Sequence, residues 1–303
     1  MLSGVSVSCF LLSYLVVLIV EVLRFTMQVP ARKLLLIGMM SAGLLAHSIF
    51  LFYQFSAVAI SSDNPQLLSN WFQWSVLAAW ALALACLGFI VRNPNGSVGL
   101  FLIPQILILI GVASLVRDAA PFERETTITL WRSIHGVSLM MGTTFISLGL
   151  AFGVMYLLQS YRLKSKKRPS QKFRLPALEF LQSMNRMTLF ASAIALGCGF
   201  ISGVVLNFNR AGQIDWFSGS ILFTFAIFVW LLMASVMEFT AVGSLGGRRS
   251  AYLVIANFLF LVVVLSFVLL SSHAQPEPRE EATRKTWSMA SESAVQANWE
   301  AVV

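Results

Sequence analysis

Apolar runs of about twenty residues recur along the chain, separated by short polar breaks, and this pattern sets the fold class. Runs near 5–23, 33–60, 71–91, 98–116, 130–159, 187–207, 217–242 and 251–271 are continuous and rich in Leu, Val, Ile and Phe. None shows the every-second-residue alternation of a barrel strand. A membrane span needs about 20 mostly apolar residues, and helices satisfy their own backbone in lipid. The pattern predicts an all-α polytopic membrane protein of about eight transmembrane helices. The runs at 33–60, 130–159 and 217–242 exceed what a perpendicular helix needs, which predicts tilt or projection beyond the lipid. No basic residue precedes the first run and Arg24 follows it, so residues 1–23 read as a retained helix rather than a signal peptide.

Composition agrees with the pattern: 57% of the 303 residues are hydrophobic and 11% charged, where soluble domains are roughly a quarter charged. The placement of the charges adds a direction. Arg24, Arg32, Lys33, Arg92, Arg162, Lys164, Lys166, Lys167, Arg168, Lys172, Arg174, Arg186, Arg248 and Arg249, 14 of the 21 basic residues, fall on one set of alternating loops. Basic loops stay cytoplasmic, which predicts that both termini face outward. The net charge of +8 then reflects topology and calls for no nucleic-acid partner. The loop 160–186 carries most of it and is suited to anionic lipid headgroups. Residues 1–271 thus read as one transmembrane helical domain. The polar, mixed-charge tail 272–303 reads as disordered.

Cys9, Cys86 and Cys198 form neither a CxxC pair nor a CxxCH haem-attachment site, so the chain is not itself a c-type cytochrome. Phosphate loops, HExxH and the nucleophile elbow are likewise missing from the sequence. The chemistry left to consider is ionisable groups at membrane depth, which are functional candidates by default. His47 falls mid-span in the second run. His135 stands near the outer end of the fifth, with Trp131 and Arg132 one turn before it, and His273 lies where the last run emerges. Glu238 is placed near the inner end of the seventh run, close in sequence to Arg248 and Arg249, and Glu21 near the inner end of the first. Each has a structural reading: a core imidazole, an interfacial anchor, a carboxylate snorkelling to a neighbouring arginine. Taken together, one histidine at mid-depth and two at the outer boundary also suit axial ligation of haem iron, with Arg132 placed to pair with a propionate.

Over 130–273 the chain resembles the CcsA/ResC/HemX-type cytochrome c assembly membrane proteins. HGVSLMMGTTFISLGLAFGVMYLLQSYRLKSKK resembles that family's helix opening with His, and LPALEFLQSMNRMTLFASAIALGCGFISGVV its Leu-Pro-x-Leu-Glu segment with a Gly-Phe-x-Ser-Gly ending. WLLMASVMEF and GGRRSAYLVIANF resemble its penultimate helix and the Gly-Arg-Arg turn into the last one, and GLLAHSIFLFY matches more loosely. The resemblance implies a haem-handling protein with His47 as a membrane-embedded ligand and His135 and His273 as external ligands. Trp216 would belong to an aromatic docking segment. It implies presentation of haem to apocytochrome c with a second assembly subunit. No transit peptide is visible, which favours a bacterial plasma (inner) membrane over an organelle membrane of bacterial descent. Two departures stand out. Glu238 occupies the position of the second embedded histidine, and NFNRAGQIDWFSGS lacks the family's dense tryptophan run. Both point to the HemX-like end of the family, where a non-catalytic accessory or regulatory role is the alternative. A transporter with His47 and Glu238 in a proton path ranks below these, because interrupted helices do not recur in matching halves.

Overall fold

The computed structural model describes residues 6–27, 31–61, 70–117, 129–165, 173–211, 219–240 and 246–273. They form eight helices: α1 (Val7–Leu23), α2 (Arg32–Ser61), α3 (Trp71–Arg92), α4 (Gly99–Leu115), α5 (Thr129–Lys164), α6 (Leu178–Ala211), α7 (Gly219–Thr240) and α8 (Gly246–His273). Among the described residues there is no strand, only an isolated bridge between Gly96 and Arg174. Six helices, α2, α3, α5, α6, α7 and α8, are long and apolar enough to cross a membrane. The other two, α1 and α4, have 17 residues each, at the lower edge of spanning length. The chain is an all-helical membrane protein. Residues 274–303, the expected tail, lie outside the described residues.

The apolar runs and the helices coincide closely except at α6, which begins at Leu178 rather than near 187. Pro176 lies just ahead of the helix, and Glu179 stands in the first turn, where a carboxylate meets the positive end of the helix dipole. Leu181 is fully buried while Ser183 is exposed. These turns are amphipathic, and a search for uniformly apolar runs passes over them.

A core formed by Phe10, Tyr14, Met40, Leu82, Cys86, Ile103 and Ile106 joins α1 to α4 and continues into Phe152 and Met155 of α5. Elsewhere the helices meet through small residues, which let backbones approach in the membrane. A Cβ built on Gly142 of α5 would lie 2.7 Å from the Leu196 side chain of α6, and one on Gly153 would lie 2.6 Å from Val254 of α8 and 3.0 Å from the Ala251 carbonyl. Gly153→Leu is therefore expected to lose about 1–3 kcal/mol through overpacking, read as a lower unfolding temperature in detergent. An unchanged value would mean that α8 does not hold this close approach.

At the basic end, the last residues of the α5–α6 connection are tied to the α3–α4 turn. The Ser97 amide donates to the Arg174 carbonyl at 3.0 Å. Phe173 packs near Phe25 and Phe101, and the Arg162 guanidinium lies 5.0 Å from its ring centroid. By contact the chain divides into Met1–Leu261 and Val262–Val303. The described part of the second unit is the end of α8.

Candidate functional site

His135 stands two turns into α5 on the side that meets α6. Gly199 and Gly203, one turn apart on α6, make room for this end of α5. A Cβ on Gly199 would lie 2.8 Å from the Leu139 side chain, and one on Gly203 would lie 2.9 Å from His135 Cε1 and 3.1 Å from Nδ1. The imidazole thus rests on a glycine surface with its Nδ1 2.7 Å from the Gly199 carbonyl oxygen. A carbonyl only accepts, so Nδ1 carries the proton and donates, and in the neutral ring the lone pair resides on Nε2. No described residue bonds Nε2. The Ser202 hydroxyl donates to the Cys198 carbonyl at 2.8 Å and reaches the Gly199 carbonyl at 3.0 Å. A backbone carbonyl holding Nδ1–H is the usual device for fixing the orientation of a metal-ligating imidazole. Arg132 lies one turn before His135 on the same helix and is half-buried, as is Trp131.

His47 is placed differently. It is fully buried, its ring stacks on Phe10 with centroids 4.1 Å apart and planes within 4°, and its Nδ1 lies 3.3 Å from the Tyr14 hydroxyl. Among the described residues its Nε2 has no side-chain partner, and the Val76 backbone of α3 also reaches the ring. This is a core imidazole held by α1. A porphyrin reaches it only if Phe10 and Tyr14 withdraw, so the residues around it do not fit haem in this packing.

Glu238 is 1% exposed, and its Oε1 accepts from Arg186 Nε of α6 at 2.7 Å. Its partner is therefore Arg186, rather than the Arg248–Arg249 pair that is nearer in sequence. Arg248 instead donates to the Ser160 hydroxyl of α5 at 3.0 and 3.1 Å. Glu21 is likewise buried rather than snorkelling, 3.1 Å from Arg24 and 3.2 Å from Arg32. No described contact joins Glu238 to His47, which sits among α1 residues.

Neutral amides, which carry no charge to mark them in an apolar run, also reach buried positions. The first half of α6 carries Asn185, Thr188 and Ser192, spaced so that they share one face. Thr188 and Ser192 line a narrow cleft with Gly149 of α5 and Val254 and Asn257 of α8. The Trp230 indole of α7 donates to the Asn257 side-chain oxygen. Asparagine within an apolar run was the available signal. Trp216 and the side chain of His273, the remaining expected site residues, lie outside the described residues. Among the described residues, no group of three or more His, Cys, Asp or Glu is arranged to hold a metal ion.

No family model and no solved structure matches the chain. A protein of Azospirillum brasilense, described as an uncharacterized 28.8 kDa protein in the nifR3-like 5' region, is 24% identical over 192 residues. The match covers 63% of this chain and 69% of that protein.

Proposed function

We propose that this chain is a haem-handling protein of c-type cytochrome biogenesis. In this reading it has eight spans, lies in a bacterial plasma membrane with both termini outside, and binds haem at the outer face for delivery to apocytochrome c. The observation that carries the reading is His135, whose Nδ1 donates to the Gly199 carbonyl at 2.7 Å and leaves the Nε2 lone pair for iron. His135 and its glycine surface fit an axial ligand, Arg132 is the candidate propionate partner, and the resemblance supplies His273 as the candidate second ligand and Trp216 as part of the docking surface. Bound haem would supply the vinyl groups to which the apocytochrome thiols add. The chain's own part is to hold and orient the haem, with a second membrane subunit guiding the apoprotein.

The alternative is a HemX-like accessory or regulatory protein that keeps the scaffold without moving haem. The Glu238–Arg186 pair, at a position where the resembled family has a ligand histidine, favours it. Expression with ample haem, followed by purification in detergent, separates the two. The haem reading expects a Soret band that weakens strongly in His135→Ala and in His273→Ala. Haem-free wild-type protein would leave the accessory reading in possession.

A further inference from the structure

Toward the basic end of α6, α7 and α8, several buried polar atoms have no hydrogen-bond partner among the described residues. Asn185 is fully buried, and neither its amide oxygen nor its amide nitrogen makes a hydrogen bond. The Ser250 hydroxyl of α8, the Ser235 hydroxyl of α7 and Glu238 Oε2 are also without partners, in side chains of residues 0%, 5% and 1% exposed. One such atom is tolerable in a packed protein. Several on three adjoining helices at membrane depth are strongly unfavourable if dry, because nothing apolar repays their lost hydration.

They lie at a similar level of the helices. Ser235 precedes Glu238 by three residues and shares its face of α7, and Arg186, next to Asn185, grips Glu238 Oε1 at 2.7 Å. Thr188 borders Gly149 of α5, while Ala251, next to Ser250, borders Gly153. Gly149 and Gly153 are one turn apart, as are Asn185 and Thr188, so Asn185 and Ser250 fall at a similar level along α5. Arg186 is 43% exposed and Glu238 beneath it is 1% exposed, which makes the ion pair the rim of this region, at the end of the helices that carries Arg248 and Arg249.

We propose that Asn185, Ser235, Glu238 and Ser250 line an aqueous inlet that enters the helix bundle from the basic end, with the Arg186–Glu238 pair at its mouth. Water fits what the side chains lack. The amide needs both a donor and an acceptor, the hydroxyls need either, and Oε2 needs a donor. A bare metal cation fits poorly beside the guanidinium, and an apolar ligand would leave every one of these atoms unpaired. The inlet does not depend on haem binding, and its failure would leave the His135 reading untouched.

Cysteine accessibility tests it. In full-length protein with Cys9, Cys86 and Cys198 replaced, Ser235→Cys and Ser250→Cys are placed singly. Leu232→Cys and Leu259→Cys, at positions 50% and 60% exposed on the outer faces of α7 and α8, serve as lipid-facing controls. Thiols react as thiolates, which require water, so a small charged methanethiosulfonate applied to permeabilised vesicles should label both serine positions at least ~10-fold faster than the controls. Equal rates would overturn the inlet. Asn185→Leu gives a second reading in which no new thiol is needed. A dry, unsatisfied amide predicts a higher unfolding temperature on replacement, which would also overturn the proposal, whereas a hydrated one predicts a lower temperature.

Discussion

Replacing Glu21 with leucine is expected to destabilise the protein by on the order of 3–5 kcal/mol, the range for breaking a buried ion pair from one side. Glu21 is 1% exposed and is the carboxylate that Arg24 and Arg32 share. Arg24 is itself 7% exposed and also donates to the Gly96 carbonyl at 3.0 Å and to the Ser97 hydroxyl. Removing the carboxylate leaves two guanidinium groups facing each other with little water to screen them. The same arginine closes the α3–α4 turn onto the end of α1, so the damage should spread to the tie between Ser97 and Arg174. Unfolding in detergent, followed as loss of monodisperse protein with temperature, gives the measurement. The double variant Glu21→Leu/Arg24→Leu should recover part of the loss, since a coupled pair is not additive. A Glu21→Leu protein as stable as wild type would mean that the cluster is solvated rather than buried.

With His135 as the proposed haem ligand, Gly203→Ala is expected to weaken haem binding by about 10–100-fold, the usual effect of disturbing the group that orients a metal-ligating histidine. The added methyl would stand 2.9 Å from His135 Cε1 and 3.1 Å from Nδ1, closer than carbon and nitrogen tolerate. The ring must swing away from α6, which lengthens the 2.7 Å bond to the Gly199 carbonyl and releases the tautomer it fixes. The backbone at Gly203 is ordinary helix, so the effect is steric at the imidazole rather than conformational. Gly38→Ala is the matched control, because a Cβ there meets nothing within 4 Å. Haem titration of the purified variants distinguishes them. Equal affinity in Gly203→Ala and wild type would show that the Gly199-held ring is not the ligand.

The helices were legible because lipid demands long apolar runs, and such runs are hard to mistake at this length. The start of α6 was not, because Leu178–Arg186 is amphipathic and its inward residues are separated by polar ones. Site residues were legible as types but not as pairs. Glu238 suggested a nearby arginine along the chain, yet the partner is 52 residues earlier. Adjacent helices in a bundle bring distant sequence to the same depth, and no local pattern records which arginine arrives. For His47, the mid-span position was plain, but the stacked Phe10 and the Tyr14 hydroxyl come from another helix. At His135 the glycines that seat the ring were visible in the Gly-Phe-x-Ser-Gly ending of α6, while the carbonyl that orients it is a backbone group, on which side-chain spacing is silent.

His135 is proposed to present Nε2 to haem iron. The most direct test is a spectral titration of haem into purified, haem-free wild-type protein and His135→Ala, each checked for monodispersity. Wild type should bind haem saturably, with the Soret shift of histidine-ligated iron, and His135→Ala should lose that shift. Identical titrations for the two proteins, or no saturable binding by wild type, would contradict the proposal.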